Sequence, residues 1–501
     1  MERATAGRAG AFARRCGLIL AFIIACMPFG PAEQTVRVIV QGPAGATGAA
    51  AVRAAGGQVI TDLHIIDAVV ARVPAGAIDR LRGQGLIVSP DPQVRVAATA
   101  PKIQAMDVNP PPAEMYPSRV IGASDLHRQG ITGSGVTIAV IDSGMPPAER
   151  PSETWTRVST NTLVYGAKPA WYMIYKDLVT ATPITNSSDP YGHGTHVMAT
   201  IADGRPLPGG MRPGAAAKIG IAPGANLVIV RALDEQGQAP YSRVIEGIQW
   251  IVDNNFFLQV DVLNLSLQSS IKGPYWYDML NQAVMAAWDA GITVVVAAGN
   301  EGPDPMTITA PANVPYVISV GALKPGTYTQ SGTDELGRYS SAGPTESKFI
   351  KPDVIIAGSR VIAPLPVNSA LVSAAGLYKE RARLEWPRFR SAVDLNYYYL
   401  SGTSMAAAEV SGVVALLLQD EPFLSNDQVK YRLTATARVA TAAPGAAAYS
   451  VWQQGAGKVS PSAALSGTTT AAANAGMDID LDRDPISGTH YMGLTEYISD
   501  T

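Results

Sequence analysis

Val136-Thr137-Ile138-Ala139-Val140-Ile141-Asp142-Ser143-Gly144 is the stretch that decides the fold. Six apolar or β-branched residues run together and then meet an acid, a hydroxyl and a glycine. Such a run suits a strand buried on both faces of a parallel sheet and closed by a turn. The runs 226–233, 260–267, 292–298 and 316–320 have the same character, with helical patterns at 196–201, 241–253 and 278–290 between them. This alternation predicts an α/β fold with a doubly wound, mostly parallel sheet. In such sheets a ligand site lies outside the carboxyl ends of the strands.

The residues at those ends carry chemistry. The first run delivers Asp142, and the run 294–298 delivers Gly299-Asn300-Glu301-Gly302. Gly192-His193-Gly194-Thr195-His196-Val197 opens a helix, and Ser401-Gly402-Thr403-Ser404-Met405-Ala406 turns into the apolar run 405–418. Singly, each has a bland reading: a turn aspartate, a structural histidine, a serine N-cap. Gathered on one face they form a nucleophilic set. Ser404 is a weak nucleophile that needs a base, and His193 is that base. Asp142 would fix the imidazole tautomer. The Asn300 side chain and the Ser404 backbone N–H would bind an oxyanion. His196, one turn on, reads as a packing residue.

The order Asp, His, Ser and these four blocks resemble the subtilisin family of serine endopeptidases. Softer matches are Asn264-Leu265-Ser266-Leu267, Ser340-Ser341-Ala342-Gly343-Pro344, Lys351-Pro352-Asp353 and Gly455-Ala456-Gly457-Lys458-Val459, so that the likeness spans roughly 119–465. The resemblance implies hydrolysis of protein or peptide substrates through an acyl-enzyme, with no cofactor required. It also implies that substrate adds as a strand along 264–268, making Asn264, Leu265, Ser266, Leu267, Gln268 and Gly299 candidate substrate-binding residues. Residues 35–98 carry a β-α-β-β-α-β pattern, a small ferredoxin-like α+β unit, and resemble the family's propeptide, an intramolecular inhibitor and folding aid. A large parallel sheet folds slowly, and a small local unit that forms first can template it. The first cut is expected within 96–104, where Ala97, Ala98, Thr99 and Ala100 are small enough to thread a cleft.

Four departures stand out. Gln268 occupies a family glycine position beside the cleft, and Ala408, followed by Glu409, occupies a family proline position. Residues 204–218, where the family places a calcium loop, contain no carboxylate. A Ca²⁺ reading rests instead on the alternating Asp478, Asp480, Asp482 and Asp484, set against a solvated acidic tail. Insertions at 145–186 and 359–400 adjoin the candidate site. The first carries Trp155, Tyr165, Trp171, Tyr172 and Tyr175, the second a charged stretch at 378–387 and then Tyr397, Tyr398 and Tyr399; these aromatics either grip substrate or pack the loops down.

Composition bounds the rest. The 501 residues are 47% hydrophobic and 16% charged with a net charge of −3, which fits a globular protein and argues against a nucleic-acid partner. Residues 1–32 read as a signal peptide cut after Ala32, too short for a membrane span, and the body is expected to be secreted or periplasmic. Arg14-Arg15 hints at twin-arginine export, and Ile23-Ile24-Ala25-Cys26 at a lipid anchor on Cys26. Both cysteines, Cys16 and Cys26, fall in this leader, leaving the body no disulfide. The expected division is signal peptide 1–32, propeptide 35–98, linker 99–118, catalytic domain 119–466 and tail 467–501. Alternatives to a general endopeptidase are a narrow processing peptidase or transpeptidase, and a non-catalytic binding protein on the same fold.

Overall fold

The structure, a computed structural model, describes residues 34–43, 48–97, 104–105, 115–147, 155–167, 171–207, 217–326, 333–375, 385–386, 389–390, 395–443, 446–486 and 488–493. The leader, including Cys26, and most of the linker lie outside these residues. Among the described residues no helix is long and apolar enough to cross a membrane.

The leading unit comprises β1 (Thr35–Gln41), a helix Ala49–Ala54, β2 (Gln58–Leu63), β3 (Ala68–Pro74), a helix Ile78–Arg82 and β4 (Ile87–Pro90). Its sheet order is β2-β3-β1-β4, antiparallel throughout. Alternate residues Val38, Val40, Val69, Ala71 and Val73 meet Val52 and Leu81 of the helices in a small core of their own. The next strand, β5 (Gln93–Val96), falls within the expected unit 35–98 but does not join its sheet. It leaves the unit and pairs with the body instead.

After a two-residue strand β6 (Gln104–Ala105), the body begins with β7 (Thr137–Asp142), fully buried along its length. Then come β8 (Trp155–Ser159), β9 (Thr162–Ala167), β10 (Trp171–Asp177), β11 (Asn226–Arg231), β12 (Gln238–Pro240), β13 (Val262–Leu265), β14 (Leu267–Gln268), β15 (Thr293–Ala297), β16 (Ile318–Lys324), β17 (Glu335–Leu336) and β18 (Val354–Ala357). The central sheet runs β17-β16-β15-β13-β7-β11-β10-β9-β8, with β18 also on β16. It is parallel from β10 to β18 and antiparallel only at its edges. Every residue of β7, β11, β13 and β15 is buried, which is why these strands carry no polar alternation.

The first insertion was expected as a loop; most of it is strand. β8, β9 and β10 extend the sheet beyond β11, and the Tyr172 hydroxyl bonds Thr137 Oγ1 at 2.8 Å while Tyr175 donates to Ser188 O at 3.1 Å. These two aromatics therefore pack the insertion down; the side chains of Trp155, Tyr165 and Trp171 lie outside the description. In the second insertion β19 (Val361–Pro366) precedes a hairpin of β20 (Glu385–Trp386) and β21 (Phe389–Arg390), then β22 (Leu395–Leu400), which pairs antiparallel with β19. Most of the charged stretch 378–387 lies outside the described residues. Tyr397 stacks edge-on with Tyr116 at 5.8 Å under the Arg205 guanidinium, and Arg360 covers Tyr399. Among described residues, these too are packing aromatics.

The acidic run is not an extended strip. Asp478 caps the helix Ile479–Arg483, while Asp482 accepts from Tyr316 Oη at 2.5 Å and from Tyr491 N at 2.8 Å. Trp276 stacks on His490 at 4.5 Å, so the described part of 467–501 is docked on the body. Carboxylates so dispersed do not fit a Ca²⁺ site, and among the described residues no three His, Cys, Asp or Glu side chains are grouped to hold a metal.

Candidate active site

The site forms where β7, β13 and β15 end beside the starts of two helices. His193 is the first residue of the helix His193–Ala202, whose N-cap Gly192 has φ +103° and caps with no side chain. Asp189 does the capping. Its fully buried carboxylate accepts from Gly192 N, Thr195 N and Thr195 Oγ1 at 2.6–2.8 Å, and from Ser143 Oγ at 2.7 Å. Burial pushes the Asp189 carboxyl upward and these donors pull it back. Since Ser143 also accepts from Gly194 N, Asp189 ties the turn after β7 to the start of the histidine helix. The two backbones nearly touch: a Cβ on Gly194 would lie 2.2 Å from Gly144 O. That contact requires the glycine.

The result is a closed pair. Asp142, at the end of β7, and His193 are both fully buried, with His193 Nδ1 at 2.8 and 3.0 Å from the two Asp142 carboxylate oxygens. Among the described residues His193 Nε2 has no hydrogen-bond partner. Burial beside His193 pushes His196 down to about 3, so it is a neutral packing residue with Nε2 near Tyr398 O.

Ser404 lies in the first turn of the helix Thr403–Asp420, in which residues 403–418 are buried. Val410, Val413, Val414, Leu416 and Leu417 are fully buried, each stabilising by roughly 1.5–3 kcal/mol before entropy is counted. This anchors the serine more firmly than a loop would. Its Oγ donates to Ser266 O at 3.0 Å. Asn300 accepts from Thr403 N and Oγ1 through Oδ1, which leaves Nδ2 buried and, among the described residues, without a partner.

What fills the space beside Ser404 is the chain itself. β5 lies between β12 and β14 as the middle of a three-stranded antiparallel sheet, with Val96 opposite Leu267 and Arg95 opposite both Gln268 and Gln238. Ala97 N donates to Ser266 O at 3.1 Å, and Ser404 N donates to Ala97 O at 3.2 Å.

Of the candidate substrate-binding residues, Ser266, Leu267 and Gln268 meet this segment. Asn264 and Leu265 do not. Both are fully buried, and Asn264 is spent on Ser266 Oγ and Ser411 Oγ. Gly299 (φ +115°) carries the turn into Asn300 and donates its N–H to Thr403 Oγ1. Sequence reasoning missed Asp189, although an acid four residues before His193 at a helix start was a readable signal.

With this geometry in view, likeness to known proteins is informative. The Subtilase family (Peptidase_S8) matches residues 133–474. The chain is 33% identical over 307 residues to Serine protease AprX of Bacillus subtilis (strain 168), covering 60% of this chain and 61% of that one. It is 32% identical over 323 residues to Subtilisin E of the same strain, covering 63% and 64%. The match thus spans less than two thirds of either relative. The crystal structure of fervidolysin from Fervidobacterium pennivorans, described as a keratinolytic enzyme related to subtilisin, superposes with a TM-score of 0.60 at 22% identity, over 87% of this chain and 61% of that one. The sheet and the four element ends define an α/β protein of subtilisin-like fold. The chain belongs to the subtilase family.

Proposed function

We propose that the protein is an exported serine endopeptidase, made as a zymogen whose residues 35–98 act as the inhibitory propeptide of a catalytic domain at 119–466. The observation that carries this reading is the seating of Ala97: β5 is held as a peptide strand, and the carbonyl that ends it accepts from the Ser404 backbone N–H. A substrate would be held in the same way, main chain to main chain. Membership of the subtilase family supports the same activity.

In the mechanism proposed, the Ser404 hydroxyl turns its proton from Ser266 O toward His193 Nε2, the free nitrogen. Oγ bonds the carbonyl carbon as that proton passes to the imidazole. Asp142, on Nδ1, holds the tautomer and stabilises the imidazolium. The carbonyl oxygen becomes an oxyanion, bound by the Ser404 N–H and by the unpaired Asn300 Nδ2. When the C–N bond breaks, His193 returns the proton to the leaving amine. Water, activated by the same histidine, then hydrolyses the ester and restores Ser404. Each step in this proposal is carried by groups of the chain and water.

On this reading the first bond cut is Ala97–Ala98. The arginine-flanked apolar leader supports export to the periplasm or medium, and mass spectrometry of the mature N-terminus separates free protein from one tethered through Cys26. The test of activity is covalent labelling by a serine-directed peptidyl phosphonate. Wild type is expected to label and Ser404→Ala not to label. A wild-type protein that never labels contradicts the proposal.

A further inference from the structure

Building on the active site proposed above, we infer that Gln268 closes the pocket for the side chain preceding the scissile bond and restricts that residue to alanine size. In an antiparallel pair, residues directly opposite share a face, so Arg95 and Gln268 project to the same side. Ala97, one residue past the end of β5, continues the ladder through its N–H to Ser266 O, and the strand alternation carried on to it puts its side chain on that side as well. The side chain of Gln268 therefore stands on the face into which the side chain at position 97 must go.

It is not free to move away. Gln268 is 3% exposed, its Oε1 accepts from Asn300 N at 2.8 Å and its Nε2 donates to Glu301 Oε1 at 2.7 Å. The amide spans the two walls of the cleft, the substrate strand on one side and the turn after β15 on the other. Glu301 is further held by Arg95. Thr309 packs against the turn after β15, bonding Ala298 O through both N and Oγ1. Its Oγ1 and Cγ2 lie 2.6 and 2.7 Å from where a Cβ on Gly299 would be.

Behind the glutamine lies unused room. A half-open groove of about 690 Å³ is walled by residues 92–95 of the leading segment on one side and by Gln268, Glu301, Ile308, Thr309 and Thr345 of the body on the other, but not by Ala97. Gln268 lines this space on the face of β5 that Arg95 shares. A large side chain at position 97 could reach the groove only by breaking both amide hydrogen bonds, one of them to a carboxylate, and stranding the Asn300 N–H. Glycine at 268 would join the groove to the cleft.

The test uses the mature enzyme and the peptides acetyl-Val-Arg-Val-Xaa-p-nitroanilide, copying residues 94–97, with Ala, Leu or Phe at Xaa. Wild type is expected to favour Ala over Phe by about 100-fold in kcat/KM, and Gln268→Gly to bring that ratio to about 10 or below. Gln268→Ala, which keeps a Cβ on the strand, should shift it in the same direction. The ratio is the readout because loosening Asn300 lowers all rates together. Labelling by diisopropyl fluorophosphate, which needs no side-chain pocket, reports the nucleophile separately. Labelling with an unchanged ratio in both variants, or a wild type that takes Phe as readily as Ala, overturns the inference and leaves the hydrolase reading standing. Loss of all labelling in wild type overturns both.

Discussion

Residues 34–97 touch two helices of the body mainly through side chains and the cleft mainly through backbone. At the helices, Asp91 accepts from Ser242 N and Oγ at 2.9 and 2.6 Å, Gln41 bonds Gln282, and Gln249 accepts from Ile65 N. The helix Tyr241–Asp253 begins after Pro240, which has no side-chain oxygen to cap it, so the leading unit supplies the missing cap. At the cleft, β5 is held by main-chain bonds on both edges. The first contact depends on which residues stand there and the second largely on shape. On the proposed propeptide reading, the first would serve templating and affinity and the second would occupy a site built for many sequences.

Four changes would break or sharpen that contrast. The largest effect belongs to Asp142→Asn, which leaves both contacts in place but disturbs the tautomer; turnover of a peptide substrate is expected to fall about 10⁴-fold, with precursor accumulating uncut. Asn300→Ala removes one oxyanion donor, and kcat should fall by about 10²–10³, the usual cost of such a loss, with KM little changed. Asp91→Ala acts at the helix end and on the Arg37–Asp91 ion pair of the leading unit, both away from the cleft. Losing a cap costs about 1 kcal/mol, so a released 35–97 fragment should inhibit the mature enzyme about 5-fold more weakly, while the site of the first cut stays the same.

The smallest effect lies away from both contacts. Glu409 is fully buried on the Ser404 helix, and among the described residues neither carboxylate oxygen has a partner. Burial pushes its pKa well above the usual 4.5, with only Lys458 opposing. The folded state thus holds a proton that the unfolded chain releases. Stability from this group is present below pH 4.5 and is lost as pH rises through the window up to the raised folded value. Glu409→Gln should remove that loss, raising Tm above pH 5 and changing it little below pH 4. Thermal melts across pH would show this equally in precursor and mature forms; a difference between the two would tie Glu409 to the leading unit.

Much of the fold was legible because the strands that position the site are buried on both faces. β7, β11, β13 and β15 fall within the apolar runs of the sequence, and the amphipathic helix Tyr241–Asp253 has the bounds its periodicity gives. The candidate residues were visible as polar interruptions beside glycines at the ends of those runs. Partner choice was not visible. β5 alternates like any strand of the leading unit, yet its hydrogen bonds go to residues more than 140 positions away. Residues 155–177 fall in the insertion 145–186, which reads as loop because the neighbour that makes them strand, β11, begins only at Asn226. Gln268 stood out as an exception, but its role needs Asn300 and Glu301, 32 and 33 positions on, brought alongside by the sheet.

The most direct test of the central claim is the N-terminal sequence of the processed protein, taken from wild type and from Ser404→Ala expressed alongside it. A wild-type product beginning at Ala98, together with a Ser404→Ala chain still joined through residues 97 and 98, is the predicted result. A mature start within residues 35–90, or the same cut in the Ser404→Ala chain without any other protease present, would contradict it.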